Sequence, residues 1–301
     1  MTLAFALILD SLLGEPRWVW SRLPHPAVLM GRTIGWFDRH FNHGALVRAK
    51  GAVAIVTAVM IASALGLAIT AVPGQILDVV VAATLLAHRS LITHVTAVAD
   101  GLRLSLPEGR RSVAMIVSRD TSAMDAPAVS RAAIESAAEN LSDGVIAPAF
   151  YFAVAGLPGM LAYKMVNTAD SMIGYRTPQY RDFGWAAARL DDVLNWFPSR
   201  LTAALIWLAS AGRGNWTRIR ADARLHRSPN AGWPEAALAP ALNLALAGPR
   251  SYDGTSQDFP FVNPQGRRDV GPAEIDAATT QLWRAWSLAL LLTVVFAIIA
   301  D

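Results

Sequence analysis

Residues 51–72, GAVAIVTAVMIASALGLAITAV, run for 22 positions without a charge. At about 1.5 Å per residue such a helix reaches roughly 33 Å, enough to cross a hydrocarbon core of about 30 Å. A backbone crossing lipid must satisfy its own polar groups, so the segment predicts an all-α, polytopic membrane protein. Composition agrees: 53% of the 301 residues are hydrophobic, only 16% are charged, and the mean hydropathy is +0.35. A net charge of +3 and a pI near 9.6 would by themselves suggest nucleic acid as a partner. The basic residues, however, are nearly all arginines in loops that flank apolar runs, which is the positive-inside pattern of a membrane protein. The chain has no cysteine, so disulfides, thiolate nucleophiles and cysteine-ligated zinc are excluded. The first basic residue is Arg17, and Asp10 interrupts the first apolar run, so the start of the chain does not read as a secretory signal.

Two further spans are expected. Residues 76–98 return after the Pro73-Gly74 turn, and residues 283–300 close the chain with Trp283, Arg284 and Trp286 at the membrane edge. The second span carries His88, Arg89 and His94, but at about 100° per residue the two histidines point apart, which excludes a metal triad. Residues 2–13, 145–163 and 198–212 are partial or full spans. The first ends at Gly14-Glu15-Pro16; the second holds Pro148, Gly156, Pro158 and Gly159 and reads as a broken helix. Tryptophan mixed with arginine over residues 17–50 suits the headgroup layer. The loop carrying Arg103, Arg110, Arg111 and Arg119 falls on the same side, expected to be the cytoplasm, and the polar stretch 249–281 reads as another cytoplasmic loop. No linker or repeat divides residues 1–301, which read as a single membrane-embedded domain.

Two acidic patches carry the chemistry. A helix announced by Asp125 as cap and Pro127 in its first turn is expected to close near Gly144, with Pro148 beyond. On it Glu135, Glu139 and Asp143 stand one turn apart on a single face. Arg131, one turn before Glu135, offers an ordinary salt bridge. Small residues (Ala132, Ala133, Ala137, Ala138) surround the acids with few cations, so the stripe also suits a hard cation such as magnesium. In the second patch Asn167 shares a helix face with Asp170 and Ser171, and Asp191 shares one with Asn195; Asp192 is in reach of Arg189. Lys164 either caps a helix end or meets a phosphate. Between the patches a loop from Tyr175 presents Arg176 and Arg181 to anions. Partial or re-entrant segments would bring both patches to one membrane face. Further on, Arg213–Arg227 form a basic interfacial segment, and the turn Ser228-Pro229-Asn230-Ala231-Gly232 would offer backbone amides and the Asn230 side chain to a ligand. Trp18, Trp20, Trp36, Trp185 and Trp196 either line a cavity or anchor in lipid.

These residues fall into ordered blocks: Leu9-Asp10 with Gly14-Glu15-Pro16, His25-Pro26 with Gly31, Ser118-Arg119-Asp120-Thr121, and Glu135-Ser136-Ala137-Ala138-Glu139-Asn140 with Asp143-Gly144. They continue through Lys164, Asn167-Thr168, Asp170-Ser171, Gly174-Tyr175, Asp191-Asp192, Asn195, Pro198 with Arg200, and Ser228 to Gly232. In this the chain resembles the CobD/CbiB family of cobalamin biosynthesis, the membrane-bound adenosylcobinamide-phosphate synthases. It departs at Glu15, where the family pattern has aspartate.

The resemblance implies an amide-forming ligase of the cell membrane. It would join the free propionate carboxyl of adenosylcobyric acid, a corrinoid, to (R)-1-amino-2-propanol or its phosphate, using ATP and magnesium. On that reading Glu135, Glu139, Asp143, Asp170, Asp191 and Asp192 hold magnesium, while Arg119, Lys164, Arg176 and Arg200 neutralise phosphate. His25 or a glutamate, Glu135 or Glu139, takes the ammonium proton, and Asp120, Asn140, Asn167, Ser171, Tyr175 and Asn230 contact substrate. Other membrane-bound enzymes of cobalamin assembly are expected partners, and nucleic acid is not. The chain has no G-x-x-x-x-G-K-[ST], so ATP would be held without a P-loop. Two other classes fit the residues: a magnesium-dependent intramembrane prenyltransferase, for Asp191-Asp192 with Asn195, and a small-molecule transporter, for the broken helix at 145–163.

Overall fold

Helix dominates the chain, as the apolar periodicity demands. The computed structural model describes residues 1–252, 255–257 and 259–300. In chain order come α1 (Thr2–Leu13), α2 (Arg17–Trp20), α3 (Pro26–Phe41), α4 (Val47–Thr70), α5 (Ile76–Leu85), α6 (His88–Leu104), α7 (Leu106–Val113) and α8 (Ala126–Leu141). A π-helical turn, Ser142–Ile146, leads into α9 (Ala147–Ile173), followed by α10 (Trp185–Leu194), α11 (Trp196–Ala209), α12 (Trp216–Ala223) and α13 (Gly232–Leu242). Four short strands, β1 (Leu246–Ala247), β2 (Arg250–Tyr252), β3 (Thr255–Gln257) and β4 (Phe261–Val262), precede the last helix, α14 (Pro272–Ala300). Four helical stretches are long and apolar enough to cross a membrane: Val47–Thr70, Ile76–Leu104, Ala126–Ile173 and Pro272–Ile299. The chain is an all-α polytopic membrane protein.

Several boundaries differ from the sequence reading, each for a local reason. The returning segment at 76–98 is broken, because Leu86 is extended (φ −83°, ψ 153°) and the Ala87 amide donates to the Gly144 carbonyl instead of continuing the ladder. The helix capped by Asp125 does not close near Gly144. It passes through the π turn into α9, and Pro148 sits two residues beyond that turn. The break expected in 145–163 is present at Ala155 and Gly156, whose φ of 62° turns the chain ahead of Pro158, but the helix resumes and runs on to Ile173. Lys164 therefore stands inside a helix and caps no end. Residues 198–212 resolve into α11, too short at 14 residues to cross. The loop expected at 249–281 contains the paired strands β2 and β3 and also β4, which pairs back to β1 just ahead of the loop, and α14 begins at Pro272, eleven residues before the expected edge at 283. Residues 253, 254 and 258 of that loop lie outside the described residues.

By their contacts the residues group into two compact units, each made of two separate chain segments: 1–89 with 143–196, and 90–142 with 197–301. Interleaving of this kind leaves no linker for composition to reveal. The first unit is organised around α4 packed on α9, with α3, α5 and α10 against them and α1 on α5. The buried face of α4 is Gly51, Ala54, Ile55, Ala58, Ala62 and Gly66, a seam of small residues that lets backbones approach. A side chain at Gly51 would strike the Phe183 carbonyl, and one at Gly66 would strike Pro158.

In the second unit α8 packs against α7, α13, α14 and β1. Its N-cap is as expected, with Asp125 Oδ1 accepting from the Ala128 amide at 2.8 Å. Ala132, Ala133, Ala137 and Ala138 are all buried, which gives the close packing surface that their size predicts. Gln281 of α14 donates to the Ile206 carbonyl of α11 at 3.0 Å, a buried side chain satisfying a buried backbone group.

Candidate active site

The polar centre of the first unit is built on α9 and α10. Asp191 is partly buried, and its two oxygens accept from neutral amides, Asn167 Nδ2 at 3.4 Å and Asn195 Nδ2 at 3.0 Å. Asn195 in turn accepts from the hydroxyl of buried Tyr163 at 2.9 Å, and the same hydroxyl lies 3.1 Å from the Asp143 carbonyl. Tyr151, one kink earlier on α9, stacks on Tyr163 at 5.1 Å and donates to the Leu194 carbonyl at 2.8 Å. Burial pushes the Asp191 carboxyl above its usual range; the two asparagine amides oppose that, and the Asp192 charge adds to it. Among the described residues, no cation pairs with Asp191.

Lys164, on the same helix as Tyr163, has Asp143 and Glu15 as acidic neighbours. Glu15 and Lys164 also bracket His25 electrically. Burial holds the imidazole below the usual histidine range, with Glu15 pulling it up and Lys164 pushing it down. His25 is the N-cap of α3: its Nδ1 accepts from the Ala27 amide at 3.2 Å. A neutral ring that accepts at Nδ1 carries its proton on Nε2, so to act as a base His25 would have to give up the cap.

The second unit holds a different arrangement. Glu135 is buried, and both of its oxygens are engaged: Oε2 with Arg119 Nη2 at 2.6 Å, Oε1 with the Ala247 amide at 2.8 Å. The expected partner Arg131 does not reach it and donates instead to the Arg268 carbonyl at 3.1 Å. Arg119, Asp120, Arg131, Glu135, Met124 and Ala247 line a cavity of about 280 Å³. Asp120 is exposed, and the Ser122 amide, donating at 2.9 Å, holds its carboxyl below the usual range.

The remaining expected residues are scattered. Glu139 and Asn140 are exposed, Asn140 donating back to the Ser136 carbonyl at 2.9 Å. Asp143 lies in the π turn that follows α8 and belongs to the first unit; Glu135 and Glu139 belong to the second. Asp192 lies 3.8 Å from Arg189, the ordinary pair foreseen for it. Asp170 sits against the end of α9, where its carbonyl accepts from the Gly174 amide at 2.7 Å. Ser171, Tyr175, Arg176 and Arg181 are exposed. Arg200 donates to Asn230 Oδ1 at 3.2 Å and lies over Trp233 at 4.8 Å. The turn around Asn230 does not offer its amides outward: those of Asn230 and Ala231 both donate to Ser228 Oγ at 3.2 Å. Of the tryptophans, Trp185 is covered by Arg48 at 3.8 Å and Trp20 meets His25 edge-on at 4.5 Å. Tyr151, Tyr163 and the Ala247 amide are additions the sequence did not single out. A tyrosine pair twelve positions apart across a kink has no helical spacing to mark it, and a backbone amide has no sequence signal at all.

Comparison with known proteins matches residues 3–282 to the family described as CobD/Cbib protein. The cobalamin biosynthesis protein CobD of Rhizobium meliloti is 48% identical over 306 residues, 96% of this chain and 94% of that one. The protein of the same description from Brucella suis is 48% identical over 308 residues, with the same shares. That from Rhodobacter capsulatus is 46% identical over 278 residues, 90% of this chain and 88% of its own. No solved structure matches. With the match running through both units and through every motif block from Leu9 to Gly232, the chain belongs to the CobD/CbiB family of cobalamin biosynthesis proteins.

Proposed function

We propose that the chain is an amide-forming ligase that attaches (R)-1-amino-2-propanol or its phosphate to the free propionate carboxylate of adenosylcobyric acid, with ATP and magnesium, at the cytoplasmic face of the cell membrane. In such a reaction the carboxylate displaces ADP from ATP to become an acyl phosphate. The amine then attacks the acyl carbon, releasing phosphate and a proton. The task is mainly positioning and neutralising phosphate charge.

Family membership supports the pathway, and Asp191 is the observation that favours a cation-dependent step. A partly buried carboxylate that, among the described residues, is held by neutral amides has charge left for a cation. Among the described residues no three His, Asp or Glu side chains converge. Magnesium does not need that, since one or two carboxylates with phosphate oxygens and water complete its shell. Asp191 and Asp143, both within electrostatic reach of the Tyr163 hydroxyl, fit this requirement. Bound there with nucleotide, magnesium would neutralise phosphate oxygens. In this reading Asn167 and Asn195 orient Asp191, Tyr163 keeps Asn195 in place, and Lys164 meets anionic oxygen. In the second unit Arg119 and Arg131 give their cavity an anion-binding wall, while Glu135 fixes the angle of Arg119.

The test is the mass of the corrinoid product after incubating detergent-purified protein with adenosylcobyric acid, aminopropanol phosphate, magnesium and ATP, each omitted in turn. A linker-extended corrinoid that forms only with all four supports the ligase. A folded protein that yields none, with substrates intact, overturns it.

A further inference from the structure

A groove at the polar end of α4 takes no part in either centre. It encloses about 540 Å³ and is lined by Asp38, Arg39 and Asn42 at the end of α3, Val47 at the start of α4, and Gln179 and Asp182 in the loop before α10. Asn42 organises it, its Nδ2 donating to Asp38 Oδ1 at 2.8 Å and to the Gln179 carbonyl at 3.1 Å. This ties the acidic wall on α3 to the loop. Among the described residues neither Arg39 nor Asp182 makes an ion pair, so charges of both signs line one groove without neutralising each other.

Its position says what it meets. Val47 opens the most apolar of the candidate spans, so the groove stands where that helix leaves the membrane. Around it Trp36 (46% exposed), Phe41 (37%) and Leu46 (77%) present apolar surface beside Arg39, the mixture that headgroup layers favour. Two carboxylates and one guanidinium suit a ligand with a hydrogen-bonding ammonium and a singly charged phosphate a few bonds apart.

We propose that this groove binds the phosphoethanolamine headgroup of a phospholipid, with the ammonium between Asp38 and Asp182 and the phosphodiester on Arg39. Three ammonium N–H donors satisfy the two carboxylates, and Arg39 pairs with the phosphodiester through charge-assisted hydrogen bonds. A phosphocholine headgroup has the same charges and no N–H, so it fits poorly. A soluble amino-alcohol phosphate presents the same two groups with one more negative charge and no acyl chains to place it at the membrane surface.

The experiment is native mass spectrometry of the full chain released from nanodiscs of phosphatidylethanolamine, phosphatidylcholine or phosphatidylglycerol. Bound phosphatidylethanolamine should exceed bound phosphatidylcholine about tenfold, the worth of one or more charge-assisted hydrogen bonds. Asp182→Asn should abolish that preference and Arg39→Gln should lower the retention of both lipids, each at an exposed position and with the helical circular dichroism unchanged. Equal retention of the ethanolamine and choline lipids overturns the proposal, as does a preference for phosphatidylglycerol. Displacement of the lipid by an equimolar amount of free O-phosphoethanolamine would assign the groove to a soluble ligand and likewise overturn it. So would wild-type selectivity in Asp182→Asn or wild-type retention in Arg39→Gln.

Discussion

Asp191 and Glu135 are both carboxylates removed from bulk water inside a family motif, and the protein treats them in opposite ways. Glu135 is paired at 2.6 Å with Arg119 and anchored on the Ala247 amide, so its charge is fully used within the second unit. Asp191 accepts from two asparagine amides and, among the described residues, pairs with no cation, so its charge is oriented but not neutralised there. A buried carboxylate with an arginine is part of the scaffold, because removing either partner strands the other. One held by neutral amides costs the fold something and has charge left for a ligand. The difference teaches that acidic residues in one motif set need not share one role.

The largest effect that would sharpen this comparison is on stability. Glu135→Ala strands Arg119, which is only 12% exposed, and leaves the Ala247 amide without its acceptor. The loss should be about 3 kcal/mol or more, read as a lowered unfolding midpoint in detergent. Glu135→Gln keeps an acceptor for Ala247 and should lose less. A variant as stable as wild type would break the scaffold reading of Glu135.

Asp191→Asn should do the reverse. The unfolding midpoint should hold or rise, while magnesium-dependent product formation falls about 10²-fold, the usual cost of losing one electrostatic support of a transition state. If product formation is untouched, Asp191 is not the cation site.

Proton linkage provides a smaller test. Because burial raises the Asp191 carboxyl above its usual range, its contribution favours the fold at low pH. That contribution is lost as pH rises from about 4 through the folded-state value. Asp191→Asn should flatten this part of the stability profile. His25 gives the opposite sign: it is held below the usual histidine range by burial, so stability is lost as pH falls below about 6.5 towards its folded value. His25→Asn, which keeps a side-chain cap, should remove that loss. Unchanged profiles in both variants would show that neither group is held as the structure places it.

The smallest effect belongs to Arg189. Its pair with Asp192 spans 3.8 Å with Arg189 62% exposed, so Arg189→Ala should change the unfolding midpoint by about 0.5 kcal/mol or less.

Much of this was legible in the residues. The charge-free run from Gly51 to Val72 predicts α4; Asp125 and Pro127 predict the start of α8; the spacing of Asp191 and Asn195 predicts a shared helix face, on which the two are hydrogen-bonded. Each of these depends on neighbours within a turn or two. The residues do not reveal Arg119 as the partner of Glu135, because sixteen positions and a loop separate them while Arg131 lies at ordinary helical distance. The shared face expected for Glu135 and Glu139 does not reveal that one is buried and the other exposed, because burial is set by what packs on α8 from far along the chain.

The sequence by itself determined that this chain is a helical membrane protein of the CobD/CbiB family, because hydropathy, caps and ordered motifs are local properties of a chain. Tertiary structure alone decided which charges are spent. Whether a carboxylate meets an arginine, a backbone amide or two asparagines depends on segments brought together from far along the chain, and the free energy of a buried charge is set by what surrounds it.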